Sequence, residues 1–137
     1  MDYVEESVAL AREVAAAAGY AVSFSVDDLL HSSLPPSCAD VLVDKGTFDA
    51  VGLSAPRGES EALHAAYVAA ALRLLPPAGL LIITSCNSTA DELAATFCGG
   101  PGARFTEVSR VKTYPVFTFG GHSGARVATL AFQRCGD

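Results

Sequence analysis

The chain has no tryptophan, a single methionine and no cluster of lysine or arginine. Nine basic side chains stand against 15 acidic ones in 137 residues, a formal net charge of −6. A surface that meets nucleic-acid phosphates needs a positive field, so these shortages argue against DNA or RNA as a partner. Cysteine is scarce as well. Cys38, Cys86, Cys98 and Cys135 are scattered with no CxxC pair, which argues for separate reduced thiols in a cytoplasmic protein and against a zinc site. No metal is expected. No uninterrupted apolar run approaches the roughly 20 residues a bilayer-crossing helix needs. The start, MDYVEESVAL, is acidic and has no basic segment leading into an apolar one. Neither a membrane contact nor a secretory signal is therefore expected.

What is present is material for a core. Half of the residues are hydrophobic and 18% are charged, in a length that suits one domain. An acidic surface is compatible with a cationic substrate, such as a lysine side chain of a basic protein.

Apolar residues at Val4, Val8, Ala11, Val14, Ala15 and Ala18 follow helical spacing, with Asp2 and Glu5 placed as in a capping box and Gly19 as a stop. Ala21 to Val26 alternates as a half-buried strand that ends at Asp27-Asp28. Leu29 to Pro36 is interrupted by proline and allows at most one helical turn, and Asp40 to Val43 is a brief apolar strand ended by Asp44-Lys45-Gly46. Glu59 to Leu75 repeats apolar residues at Leu63, Tyr67, Ala70, Ala71 and Leu74, a helix stopped by Pro76-Pro77. Gly79 to Thr84 is continuously apolar, the pattern of a parallel strand covered on both faces. Ser88 to Phe97 suits a helix capped by Ser88 or Thr89, and Gly99 to Gly102 a loop. Phe105 to Tyr114 and Arg126 to Gln133 read as two closing strands around a glycine-rich turn. Alternation of this kind implies a doubly wound α/β sheet with an antiparallel hairpin at one edge, in a single domain over residues 1–137.

In open α/β sheets, ligands bind at the carboxyl ends of the parallel strands. The polar groups there are Asp27-Asp28, Asp44-Lys45-Gly46-Thr47 and Ser85-Cys86-Asn87, joined by Asp2 if Met1 closes a strand. Such acids can accept ribose hydroxyls or an adenine amino group, or face a sulfonium, which together describe an adenosyl cofactor carrying positive charge. Plainer roles stand beside these. Asp2 can cap a helix, and Asp27 and Asp28 can be turn acids. Cys86 has no histidine at a spacing that supports a nucleophilic dyad. His31, His64 and His122 suit surface or internally satisfied positions, and Tyr67 suits the core.

Three stretches carry a more specific signal: Asp44-Lys45-Gly46-Thr47-Phe48-Asp49-Ala50, Ile83-Thr84-Ser85-Cys86-Asn87, and Phe117-Thr118-Phe119-Gly120-Gly121-His122-Ser123-Gly124. In order and spacing they resemble the elongation factor 1-alpha lysine methyltransferases, and the resemblance runs from Asp2 to about Gln133. It implies a Rossmann-like class I methyltransferase sheet and S-adenosylmethionine as cofactor. By resemblance, Asp2 and Tyr3 are the acid and aromatic pair that holds the cofactor ribose, Asp28 with Leu29 is the adenine-side contact, and Asp44 lies beside the methionine part. Asp44 and Asn87 are the polar residues nearest the transfer point, and Phe117 and Phe119 lie on the substrate-facing hairpin. The chain departs from the family pattern at Ser88, where the family has tryptophan after the asparagine. The family's first strand and its glycine-rich loop precede the ribose acid by about 20 residues, so here they are expected to be missing from a chain that begins at Met1. Without them, cofactor binding is expected to be impaired.

The function implied is methyl transfer from S-adenosylmethionine to a lysine Nε of a protein, with elongation factor 1-alpha as the expected partner, in the cytoplasm. The alternatives are a non-catalytic or partner-binding remnant of such an enzyme, and a small-molecule methyltransferase.

Overall fold

The computed structural model describes residues 1–56, 59–100, 102–112, 116–119, 122–125 and 127–136; of 116–119 and 122–125 it describes the backbone alone. The chain divides into two compact units, Met1–Leu34 and Pro35–Asp137.

The first unit is built on helix α1, Glu5–Ala18. Gly19 ends it as expected, with a left-handed φ of 70° and its N–H bonded to the Ala15 and Ala16 carbonyls. The start differs from the expected capping box. Val4 is the N-cap and offers no side-chain cap, while Asp2 Oδ1 accepts from the Val4 N–H at 2.9 Å. The expected strand at Ala21–Val26 is also reduced. Only Val26 pairs, in an isolated parallel bridge with Asp2, while the Phe24 carbonyl accepts from the Arg12 guanidinium of α1 at 2.7 Å. A 3-10 turn at Leu29–His31 follows, which is the single helical turn the prolines allow.

The second unit holds a four-stranded sheet in the order β1-β2-β6-β3. Its strands are β1 (Val41–Lys45), β2 (Leu80–Ser85), β3 (Phe105–Arg110) and β6 (Ala128–Arg134). The β1 and β2 strands are parallel, and β6 runs antiparallel to both β2 and β3. Between β1 and β2 the chain forms α2 (Thr47–Ser54) and α3 (Ser60–Leu74), and α4 (Ala90–Cys98) leads to β3. The crossover and the antiparallel closing pair are as the sequence implies. A separate hairpin, β4 (Val116–Phe119) with β5 (His122–Ala125), stands where the glycine-rich turn was expected. Gly120 and Gly121 themselves, like Tyr114 and Arg126 at the ends of the expected closing strands, lie outside the described residues.

Helix α2 has no counterpart in the sequence expectations, in which the strand ends at Val43, Asp44-Lys45-Gly46 stops it, and the next element starts at Glu59. Helix α4 is fixed by a complete capping box: Thr89 Oγ1 accepts from the Glu92 N–H, and Glu92 Oε2 accepts from the Thr89 N–H.

The core lies on one face of the sheet. Leu81 and Ile83 of β2 stand opposite Phe132 and Leu130 of β6, and all four are fully buried. Three helices press aromatic rings onto this face. Phe97 of α4 stacks on Phe132 at 4.8 Å between centroids and meets Phe105 edge-on at 5.8 Å. Phe48 of α2 and Tyr67 of α3 extend the cluster through a T-shaped contact at 5.2 Å. Burial along β2 therefore alternates, with Leu80, Ile82 and Thr84 only half-buried. The expected cover on both faces is not met by the helices of this unit, which share one side. On the other side Val43 is 74% exposed.

Candidate active site

In the first unit, the bridge between Asp2 and Val26 is formed by the Asp2 N–H donating to the Ser25 carbonyl at 3.1 Å and the Asp27 N–H donating to the Asp2 carbonyl at 3.0 Å. It sets Asp2 beside the residues that lead into Asp27 and Asp28. Asp2 is exposed, and its carboxylate accepts from the Val4 N–H through Oδ1. Tyr3, next to it, is 75% exposed. An exposed acid beside an exposed aromatic ring can accept sugar hydroxyls while the ring offers a stacking surface.

Asp28 caps the 3-10 turn. Its Oδ1 accepts from the Leu30 N–H at 3.0 Å, and Oδ2 lies 2.8 Å from His31 Nδ1. The His31 hydrogen bond, followed by that of Leu30, holds the Asp28 carboxyl below its ordinary range, so it stays an acceptor. Asp27 turns inward instead, accepting from Ser32 Oγ at 2.6 Å. Leu29 is half-buried in the turn. Asp28, rather than Asp27, thus presents the more exposed carboxylate.

In the second unit, Asp44 is the penultimate residue of β1 and only 6% exposed. It does not project into solvent. Gly46 turns the chain with a φ of 97°, a left-handed conformation that favours glycine. The turn brings the start of α2 back onto Asp44. Oδ1 accepts from the Thr47 N–H at 2.9 Å, and Oδ2 accepts from the Phe48 N–H at 3.0 Å and the Tyr67 hydroxyl at 2.5 Å. The carboxylate thereby satisfies two of the open donors at the helix N-terminus and faces its positive end. Burial of Tyr67, with the charge and hydrogen bond of Asp44 adding, pushes its phenol far above the usual tyrosine range.

The carboxyl end of β2 is tied to the same helix. Ser85 is fully buried and donates to Asp49 Oδ1 at 2.5 Å, while the Cys86 N–H donates to Asp49 Oδ2 at 2.9 Å. Ser85 Oγ in turn accepts from the N–H groups of Asn87 at 3.1 Å and Ser88 at 2.9 Å. Asn87 is exposed on the resulting loop. Within this unit the structure therefore places Asp44 and Asn87 at the ends of neighbouring parallel strands, joined through α2. From sequence, Ser85 is a candidate only as part of Ser85-Cys86-Asn87, and Asp49 has no assigned role. Asp49 lies in the first turn of α2, a helix the sequence pattern does not announce. Phe117 and Phe119 sit in β4 by their backbone, and their side chains, with that of His122, lie outside the described residues.

Among the described residues, no group of three or more His, Cys, Asp or Glu side chains could hold a metal ion. None of their helices is long and apolar enough to cross a membrane.

The mixed α/β sheet, with parallel β1 and β2, antiparallel closing strands and the buried Asp44 near the end of β1, is the fold of class I methyltransferases among solved structures. The chain belongs to the methyltransferase domain family, whose model matches residues 1–121. It is 36% identical to the protein-lysine N-methyltransferase EFM4 of Saccharomyces cerevisiae, over 98% of this chain and 58% of that protein. It is 34% identical to human EEF1A lysine methyltransferase 2, over 98% of this chain and 54% of that protein. The chain thus spans about half the length of the curated relatives it matches. Among solved structures, a SAM-dependent methyltransferase of Methanosarcina mazei matches with a TM-score of 0.68 at 14% identity, over 98% of this chain and 80% of that one. The N-methyltransferase NodS of Bradyrhizobium japonicum matches with a TM-score of 0.59 at 15% identity, over 98% and 71%.

Proposed function

We propose that this chain is the methyltransferase domain of a protein-lysine N-methyltransferase that uses S-adenosylmethionine and acts on elongation factor 1-alpha in the cytoplasm. The two compact units are read as parts of one domain, consistent with a family match that runs across both. The observation that carries the reading is the pairing of Asp2 with Val26, which sets an exposed acid and an exposed ring next to a second exposed acid, Asp28. The names of the relatives favour a protein lysine over a small amine as acceptor.

In this reading Asp2 accepts the ribose hydroxyls, Tyr3 lies along the adenosine, and Asp28 with Leu29 meets the adenine. Asp44, held by α2 and Tyr67, shapes the backbone turn on the methionine side. Asn87 offers an amide oxygen to the incoming amine, and Phe117 and Phe119 belong to the substrate-facing hairpin. When bound, the cofactor supplies an electrophilic methyl group on sulfur. The task left to the protein is to hold a neutral amine in line with it.

Isothermal titration with S-adenosylmethionine tests the cofactor assignment. Saturable binding of the cofactor is expected. Asp2→Asn should weaken it about tenfold or more, the loss of a charged hydrogen bond, and Asp28→Asn should weaken it less, because part of that carboxylate is used within its own turn. Glu61→Gln, on the exposed side of α3, should leave it unchanged. No binding by the native chain, or equal binding by Asp2→Asn, would overturn the assignment.

A further inference from the structure

The buried Asp49 has no place in the functional reading above, and its bonds run in one direction. Ser85 Oγ accepts from two loop amides, Asn87 and Ser88, so its single proton goes to Asp49 Oδ1. Asp49 Oδ2 accepts from the Cys86 N–H and lies 3.4 Å from Cys86 Sγ. Amides 86 to 88 are thus gathered, directly or through one hydroxyl, onto a single carboxylate that is 7% exposed. Cys86 and Asn87 are exposed. Water could satisfy amides on an exposed loop, so burying an acid to hold them adds no hydrogen bond the loop would otherwise lack. What it adds is a fixed loop shape at the carboxyl end of a parallel strand, where ligands of such sheets bind.

We propose that Asp49 is a positioning residue for methyl transfer: acting through Ser85, it fixes the Cys86–Ser88 loop and so the placement of Asn87. The inference rests on the methyltransferase reading. The donor pattern makes the carboxylate specific. Asparagine at 49 would present an NH2 group to Ser85 Oγ, which has both lone pairs in use, or to the Cys86 N–H, which is itself a donor.

The test combines amide hydrogen exchange with steady-state transfer from methyl-labelled S-adenosylmethionine to elongation factor 1-alpha, on the native chain and two variants. In Asp49→Asn, amides 86, 87 and 88 should exchange about tenfold faster or more, while amides of Ile82 and Ile83 keep their protection. In Ser85→Ala, only amides 87 and 88 should quicken, because the bond from the Cys86 N–H to Asp49 remains. Both variants should lose about tenfold or more in kcat with KM for the cofactor nearly unchanged, the mark of an interaction used in the transition state. Exchange that quickens uniformly across the sheet, or a loop that stays protected in both variants, would overturn the proposal. A loosened loop with unaltered kcat would overturn it too. Should Asp49→Asn fail to fold, the Ser85→Ala pattern decides alone. A native chain that transfers no methyl group overturns the methyltransferase reading and the catalytic half of this inference, while the exchange pattern still decides whether Asp49 sets the loop.

Discussion

At the scale of single residues, the acids of this chain divide by what they hold. Asp2 and Asp28 are exposed and keep acceptor capacity facing outward. Asp44 and Asp49 are buried, and their oxygens are taken up by backbone N–H groups and hydroxyls. The Tyr67 hydroxyl completes the set around Asp44. Because its folded-state value is raised, the folded chain keeps this proton where the unfolded chain gives it up. Stability from Tyr67 is therefore complete below the ordinary tyrosine value of 10.0 and is lost as pH rises beyond it. Tyr67→Phe removes one hydrogen bond to a carboxylate and should cost about 1.5–3 kcal/mol at neutral pH. It should also flatten the fall of Tm in alkali. Thermal melts from neutral pH upward check both effects; an unchanged neutral Tm with the same alkaline slope would remove Tyr67 from the account. The exposed acids were legible as candidates from their places after strand-like runs. The inward direction of Asp44 was not, because its partners Thr47, Phe48 and Tyr67 meet it only once α2 and α3 have folded back onto β1.

At the scale of elements, local rules served best where an element carries its own signals. The helix over Glu5–Ala18 shows apolar periodicity and a glycine stop, and α3 ends just ahead of its two prolines. The α4 helix has its cap written into Thr89 and Glu92. Thr89→Ala should therefore destabilise the chain by about 0.5–2 kcal/mol, measured by denaturant unfolding. No change would mean that the packing of Leu93 and Phe97 alone holds this helix. Where an element depends on a distant partner, the sequence was silent. The start of α2 is capped from β1 by Asp44 rather than from its own N-cap, Gly46, which has no side chain to cap with. Residues 21–25 alternate as a strand should, yet alternation records only the readiness to pair, and only Val26 has a partner among the described residues. The apolar run in β2 suggested two covered faces, but apolar residues record tolerance of burial and not its extent.

At the scale of the whole molecule, composition limited the choices and three short stretches narrowed them. A net charge of −6 fits a cationic acceptor and fits nucleic acid poorly. In the proposed reaction this chain holds a lysine Nε in line with the methyl group of S-adenosylmethionine. The most direct measurement incubates the chain with methyl-labelled S-adenosylmethionine, elongation factor 1-alpha and, separately, small amines, and locates the label by peptide mass spectrometry. Label is expected on a lysine Nε of the protein and on none of the small amines. Label confined to small amines, or absent from every lysine, would contradict it.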